Sequence, residues 1–265
     1  MLTVFLIMLL LSNFSFAQET NPYFVTATKM HWNMDMENFS MDEWKAVERE
    51  YLDKVVKKNP LIKGQLYLMH YFTADNTELI LVTTYESWSD IEKAAEKTQE
   101  LIKAAWPNEK DRRAFFTKRA KYYAKEHSDE IYATLPVQKT PKANFDKDMV
   151  YYVRVSHFAF PENGTDKEFD ELSKQFFDAV INKNDLIKAY YPNEHAWGSD
   201  KTQFTEVFVV ESLADLESAL KKNGELYNAN WNDDDKRKAF NEKMNKYTTG
   251  VHGDYVYRSV HELTK

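Results

Sequence analysis

The sequence predicts an α+β chain built from two tandem copies of one β-α-β-β-α-α-β unit. Three observations predict it: an internal repeat, helix-start signals that recur at the repeat spacing, and strand-like runs placed alike around them. Adding 125 to a residue number aligns 40–132 with 165–257 without a gap and gives 31 identities in 93 positions. Segments of ordinary composition would match at roughly one position in seventeen. The matches include Lys58-Asn59 with Lys183-Asn184, Leu61-Ile62-Lys63 with Leu186-Ile187-Lys188, and Trp106 with Trp231. A fixed period of this kind is the mark of duplication.

Each element follows from local pattern. Phe24–Trp32 and Val150–Phe158 are rich in β-branched and aromatic residues and read as first strands. Ser40-x-x-Glu43 and Thr165-x-x-Glu168 are capping boxes, in which hydroxyl and carboxylate each satisfy a free backbone N–H at a helix start. Trp44, Val47, Tyr51, Leu52, Val55 and Val56 then recur at helical spacing, as do Phe169, Leu172, Phe176, Phe177, Val180 and Ile181. Two strands come next, 65–72 and 79–85 in the first copy and 190–197 and 204–210 in the second, with Ala74-Asp75-Asn76 as a hairpin turn. Ser87-x-x-Asp90 and Ser212-x-x-Asp215 open a second helix, and a third carries Phe115, Phe116 and Tyr122 and is expected to end near His127. The last strands are 130–135 and 255–260. The segment 137–148, with Pro141 and few apolar residues, is the expected linker.

This order gives an antiparallel sheet with helices on one face, the ferredoxin-like plan. The other face needs a cover, and the tethered second copy can supply it. The pattern resembles the dimeric α+β-barrel superfamily, including antibiotic-biosynthesis monooxygenase-like and NIPSNAP-like domains, over residues 23–136 and 149–262 of this chain. The resemblance implies two ferredoxin-like units whose sheets pack as an intrachain pseudo-dimeric barrel, and hence a monomer in solution. Related barrels include cofactor-free oxygenases, haem-binding proteins and isomerases, and a structural or protein-interaction module is a further alternative to small-molecule binding.

Residues 1–17, MLTVFLIMLLLSNFSFA, carry no charge and end in Ser-Phe-Ala, so a signal peptide cleaved before Gln18 and an exported protein are expected. The apolar run from Val4 to Leu11 is far below the ~20 residues needed to span a bilayer, and no membrane insertion is expected. With no cysteine the chain has neither disulfide nor thiol nucleophile. A net charge of −7 spread through mixed-sign helices argues against a nucleic-acid surface. Six glycines, mostly single, form neither GxGxxG nor a P-loop, and GxSxG and HExxH are missing. No cofactor and no metal site is expected.

The repeated His127-x-Asp129 and His252-x-Asp254 supply too few ligands for a metal and read as helix-end and turn chemistry. Trp106 and Trp231 read as wedges between helices, and Arg112 and Arg237 as partners of acids such as Glu109 and Asp233. On the first strand, Thr26, Thr28, Met30 and Trp32, matched by Tyr151, Val153, Val155 and His157, are expected on the helix-covered face. Alternation then turns Lys29 and Arg154 toward the barrel. His70 and His195 superpose at the repeat spacing, and Glu206 and Arg258 replace Leu81 and Ala133. A small-molecule ligand is accordingly expected between the two sheets, held by Lys29, Arg154, His70, His195 and Arg258. A salt-bridge network is the structural alternative.

Overall fold

A computed structural model describes residues 22–141 and 143–265; the leader expected at 1–17 lies outside the described residues. The first half runs β1 (Phe24–Trp32), α1 (Met41–Lys54), β2 (Ile62–Phe72), β3 (Glu78–Tyr85), α2 (Trp88–Ala105), α3 (Glu109–Ala120) and β4 (Tyr123–Thr134). The second repeats this order as β5 (Val150–Phe158), α4 (Asp166–Phe176), β6 (Ala189–Trp197), β7 (Gln203–Val210), α5 (Leu213–Asn230), α6 (Asp234–Asn245) and β8 (Thr248–Ser259). Ser40 and Thr165 cap α1 and α4 as their motifs predict, each hydroxyl accepting from the backbone N–H three residues on.

The eight strands close into one antiparallel barrel in the order β1-β3-β2-β8-β5-β7-β6-β4. The last strand of each half makes the seam: β4 pairs with β1 of its own half and β6 of the other, β8 with β5 and β2. Closure leaves no strand edge unpaired. Strand alternation then sorts the side chains. Inside, Leu66, Leu68, Ile80 and Val82 meet Tyr151, Val153, Tyr191, Val207 and Tyr257. Outside, each half packs its helices on its own sheet, around Trp44, Tyr67, Trp106 and Phe115 in one and Phe169, Phe208, Trp231 and Phe240 in the other. Among the described residues no helix is long and apolar enough to cross a membrane.

The structure departs from the sequence reading in three places. The third helix stops at Ala120 rather than near His127, because residues 123–128 pair with β1, as in Trp32↔Tyr123 and Met30↔His127. His127 and Asp129 therefore share one face of a strand, Nε2 to Oδ2 at 3.3 Å, and His252 and Asp254 do likewise at 3.4 Å. The wedge reading of the tryptophans agrees with their place: Trp106 and Trp231 are buried, each with its ring centroid 4.2 Å from that of Phe115 or Phe240. The expected acid partners are corrected: Glu109 pairs with Arg113 and Arg237 with Asp234, while Arg112 and Arg237 each donate from Nη1 to the Trp106 or Trp231 carbonyl that ends the preceding helix.

The third departure concerns register. Phe24 pairs with Ala133 and Val150 with Arg258; Trp32 N–H donates to the Thr77 carbonyl and Phe158 N–H to that of Thr202. The first strands thus correspond at a spacing of 126 while their partners keep 125. The connection from β5 to α4 is one residue shorter than that from β1 to α1, so Arg154 corresponds to Thr28 and not to Lys29.

Candidate functional site

That single residue separates the five side chains expected to converge. Lys29 lies on the barrel face and pairs with Glu78 at 3.1 Å, whose carboxylate also accepts from Tyr257 Oη at 3.1 Å. His70 and His195 lie on the same face: His70 Nδ1 is 2.8 Å from Thr73 Oγ1, and His195 Nε2 has no hydrogen-bond partner and stands 3.8 Å from Glu130. Arg154 is on the opposite, helix-covered face, where its Nε donates to Asp254 at 3.1 Å. Arg258 is on that face as well, its guanidinium 4.5 Å from the Tyr71 ring. The expectation that Arg154 joins the others is corrected by the register, because a one-residue shift in a strand moves a side chain to the other face, and that for Arg258 by the alternation of β8, whose Tyr255 and Tyr257 face the barrel. The barrel interior is filled by the aliphatic and tyrosine side chains named above, and beside His70 an open pocket lies between the β2–β3 turn and β8, lined also by Tyr71, Phe72, Asp254 and Tyr255.

Open volume also lies outside the barrel, between the second sheet and its helices. A cavity of about 350 Å³ is bounded by Phe158 on β5, Phe160 and Pro161 beyond it, Asp166, Phe169 and Asp170 on α4, Glu194 and the expected site residue His195 on β6, Lys201, and Tyr247 after α6. The sequence reading missed it because it is made by what the second half lacks. In the first half Phe39 lays its ring against Trp32 and Tyr122, at 5.2 and 5.9 Å. The corresponding residue is Gly164, where a Cβ would stand 2.6 Å from Pro161 Cγ and 2.8 Å from Tyr247 Cε1. Trp44 becomes Phe169, Tyr67 becomes Pro192 and Tyr123 becomes Thr248. The first half also fills its space with Glu48, whose buried carboxylate accepts from Tyr67, Tyr123 and Arg119; Ser173 and Met244 take the places of Glu48 and Arg119.

The cavity is aromatic on one side and acidic at its mouth. Phe158 meets Phe169 edge-on at 5.3 Å and Phe204 at 5.0 Å. Tyr247 is fixed by donating to Glu168 at 2.5 Å and accepting from the Thr165 N–H at 3.0 Å. Phe160 holds an unusual conformation for a bulky residue, φ 49°, and stands 63% exposed. Partial withdrawal from water, together with the charges of Asp166 and Asp170, raises the Glu194 pKa above the ordinary carboxylate value. Asp170 is raised in the same way, by desolvation and then by Asp166. Such shifts collect where like charges are held together for use. Among the described residues no group of histidines and carboxylates is placed to hold a metal ion.

No protein-family model matches the chain, and no curated protein matches it in sequence. Solved structures do match in fold. A candidate monooxygenase from Fusobacterium nucleatum subsp. nucleatum superposes with a TM-score of 0.56 at 11% identity, over 91% of this chain and 93% of that one. A mutant chlorite dismutase from Candidatus Nitrospira defluvii gives 0.54 at 11% identity, over 91% and 93%. The same enzyme bound to imidazole gives 0.52 at 11% identity and the same coverage. At such identities the likeness is one of architecture, and it places this chain among proteins with a ferredoxin-like α+β barrel.

Proposed function

We propose that the protein is an exported small-molecule binding module whose ligand occupies the cavity between the second sheet and helices α4 and α6. The observation that carries this reading is the asymmetry of the two halves. The same space is plugged by Phe39, Trp44, Tyr67 and Glu48 in one and left open in the other. Packing alone gives no reason for that difference, since unfilled volume costs stability. A cavity of about 350 Å³ lies within the range of small-ligand sites, and aromatic walls with a few polar groups are their usual lining. Native mass spectrometry of protein purified from its own host tests it. A retained small molecule, lost when Phe169 is enlarged to tryptophan, is the expected result; no bound mass in either form would count against it.

A second reading, an oxygenase- or isomerase-like enzyme needing no cofactor, is favoured by the fold shared with the candidate monooxygenase. Conversion of the retained molecule to a product of different mass with oxygen uptake, or to an isomer of the same mass followed by chromatography, separates an enzyme from a binding module. We propose further that the full chain is a monomer, because its barrel closes without a second copy.

A further inference from the structure

We propose that the cavity of the second half selects an organic cation, a substituted or quaternary ammonium group set against Phe158, Phe169 and Tyr247 and faced by Asp166, Asp170 and Glu194. This rests on the reading of the cavity as a binding site and adds the class of ligand.

The three carboxylates come from two elements. Asp166 and Asp170 are four apart on α4 and share a helix face, while Glu194 rises from β6 on the other side of the opening. Among the described residues none of the three takes part in a hydrogen bond or ion pair, although most acids around them do. Glu168, in the same turn as Asp166, binds Lys246 and Tyr247, and Asp200 binds Thr202 and His157. Acids placed for solubility alone have no reason to gather at one opening, where like charges repel.

The first half shows what these positions carry when there is no cavity. They are Met41, Lys45 and Met69, and the two methionines pack on the core. The change from one positive charge to three negative ones is confined to the half that opens, where Lys201 offsets one of them and the His195 imidazole also lines the cavity. The rings supply the other half of the recognition, since the negative face of an aromatic ring attracts a cation. Among the described residues the three carboxylates do not form a group placed to hold a metal ion. Phe160, exposed at the mouth, is placed to close over such a group.

Calorimetric titration of the full mature chain with three probes built on one ring tests the proposal: benzyltrimethylammonium, benzyl alcohol and phenylacetate. The expected result is that the cation binds and the other two do not. Its affinity should fall roughly tenfold in Glu194→Gln and in Asp170→Asn, rise in Lys201→Met, and vanish in Phe169→Trp, with the thermal transition of each variant showing that it folds. Binding of the alcohol or phenylacetate as tightly as the cation, abolished by Phe169→Trp, would overturn the cation assignment and leave the cavity reading standing. Failure of all three probes, with a host-derived mass still displaced by Phe169→Trp, would do the same. Failure of the probes with no host-derived mass would remove both.

Discussion

Glu48 is a carboxylate almost without exposure, and it persists because three donor atoms answer it with four hydrogen bonds: Tyr67 Oη and Tyr123 Oη at 2.7 Å each, and Arg119 Nε at 2.8 and 3.0 Å to its two oxygens. A buried charge is tolerated only when so paired, and removing one partner strands the other. Glu48→Gln should therefore cost about 3 kcal/mol in urea unfolding, and a loss below half a unit would show that water already reaches the network. At the cavity the balance runs the other way. Asp170 and Glu194 have raised pKa values in the folded chain, so the folded state holds their protons more tightly than the unfolded one. Their contribution to stability is complete below the unfolded carboxylate range and is lost as pH rises through the folded values. The double variant Asp170→Asn, Glu194→Gln should match the parent near about pH 3 and be the more stable at about pH 7. An equal gap at both, followed by urea midpoint, would show that folding does not raise these pKa values. These residues were illegible in the sequence as a site. Three acids on a solvated face look alike whether or not a cavity lies beside them, and the cavity is built of missing rings.

At the scale of elements, the order β-α-β-β-α-α-β was readable because apolar spacing, capping residues and repeat agree. Limits were less so. Residues 123–128 have no strong strand pattern, and it is the β1 ladder that holds them extended. The one-residue slip in β1 was hidden by a gapless alignment that begins only at residue 40, after the shortened connection. A slip in a strand reverses facing, which is why a sound repeat still sent Arg154 to the wrong side. The two Ser-x-x-Asp starts also differ in a way the motif does not reveal. Ser212 Oγ accepts from the Asp215 N–H at 3.1 Å and donates to its carboxylate at 2.7 Å, whereas the Ser87 side chain makes no capping bond and meets Ser89 instead. Ser212→Ala should cost about 1 kcal/mol and Ser87→Ala a few tenths at most, ~0.3 kcal/mol. Thermal unfolding of the two side by side decides, and equal losses would mean that the cap geometry adds nothing.

For the whole molecule, the chain crosses between halves at both seams, and it does so beyond the strands. After β4, Lys139 exchanges backbone hydrogen bonds with Tyr190, and its Nζ reaches the Asn184 carbonyl at 2.8 Å. After β8, Lys265 donates its N–H to the Gln65 carbonyl, and its Nζ reaches the Asn59 carbonyl at 2.5 Å. Each half is thus clasped by the tail of the other. Burial from water lowers the pKa of both lysines, while the carbonyls they donate to favour the charged form that burial opposes. A half alone would expose two seam strands with unpaired backbone, which invites pairing with another chain. Because β8 stands to the second half as β4 stands to the first, a second copy of residues 149–265 can offer to β6 what β4 offers in the intact protein. We expect that fragment to form a homodimer of twofold symmetry, while the full mature chain stays monomeric. Light scattering at micromolar concentration distinguishes the cases. A folded, monomeric fragment would mean that the seams contribute little, and a dimeric full chain would mean that the barrel opens and closes again between molecules.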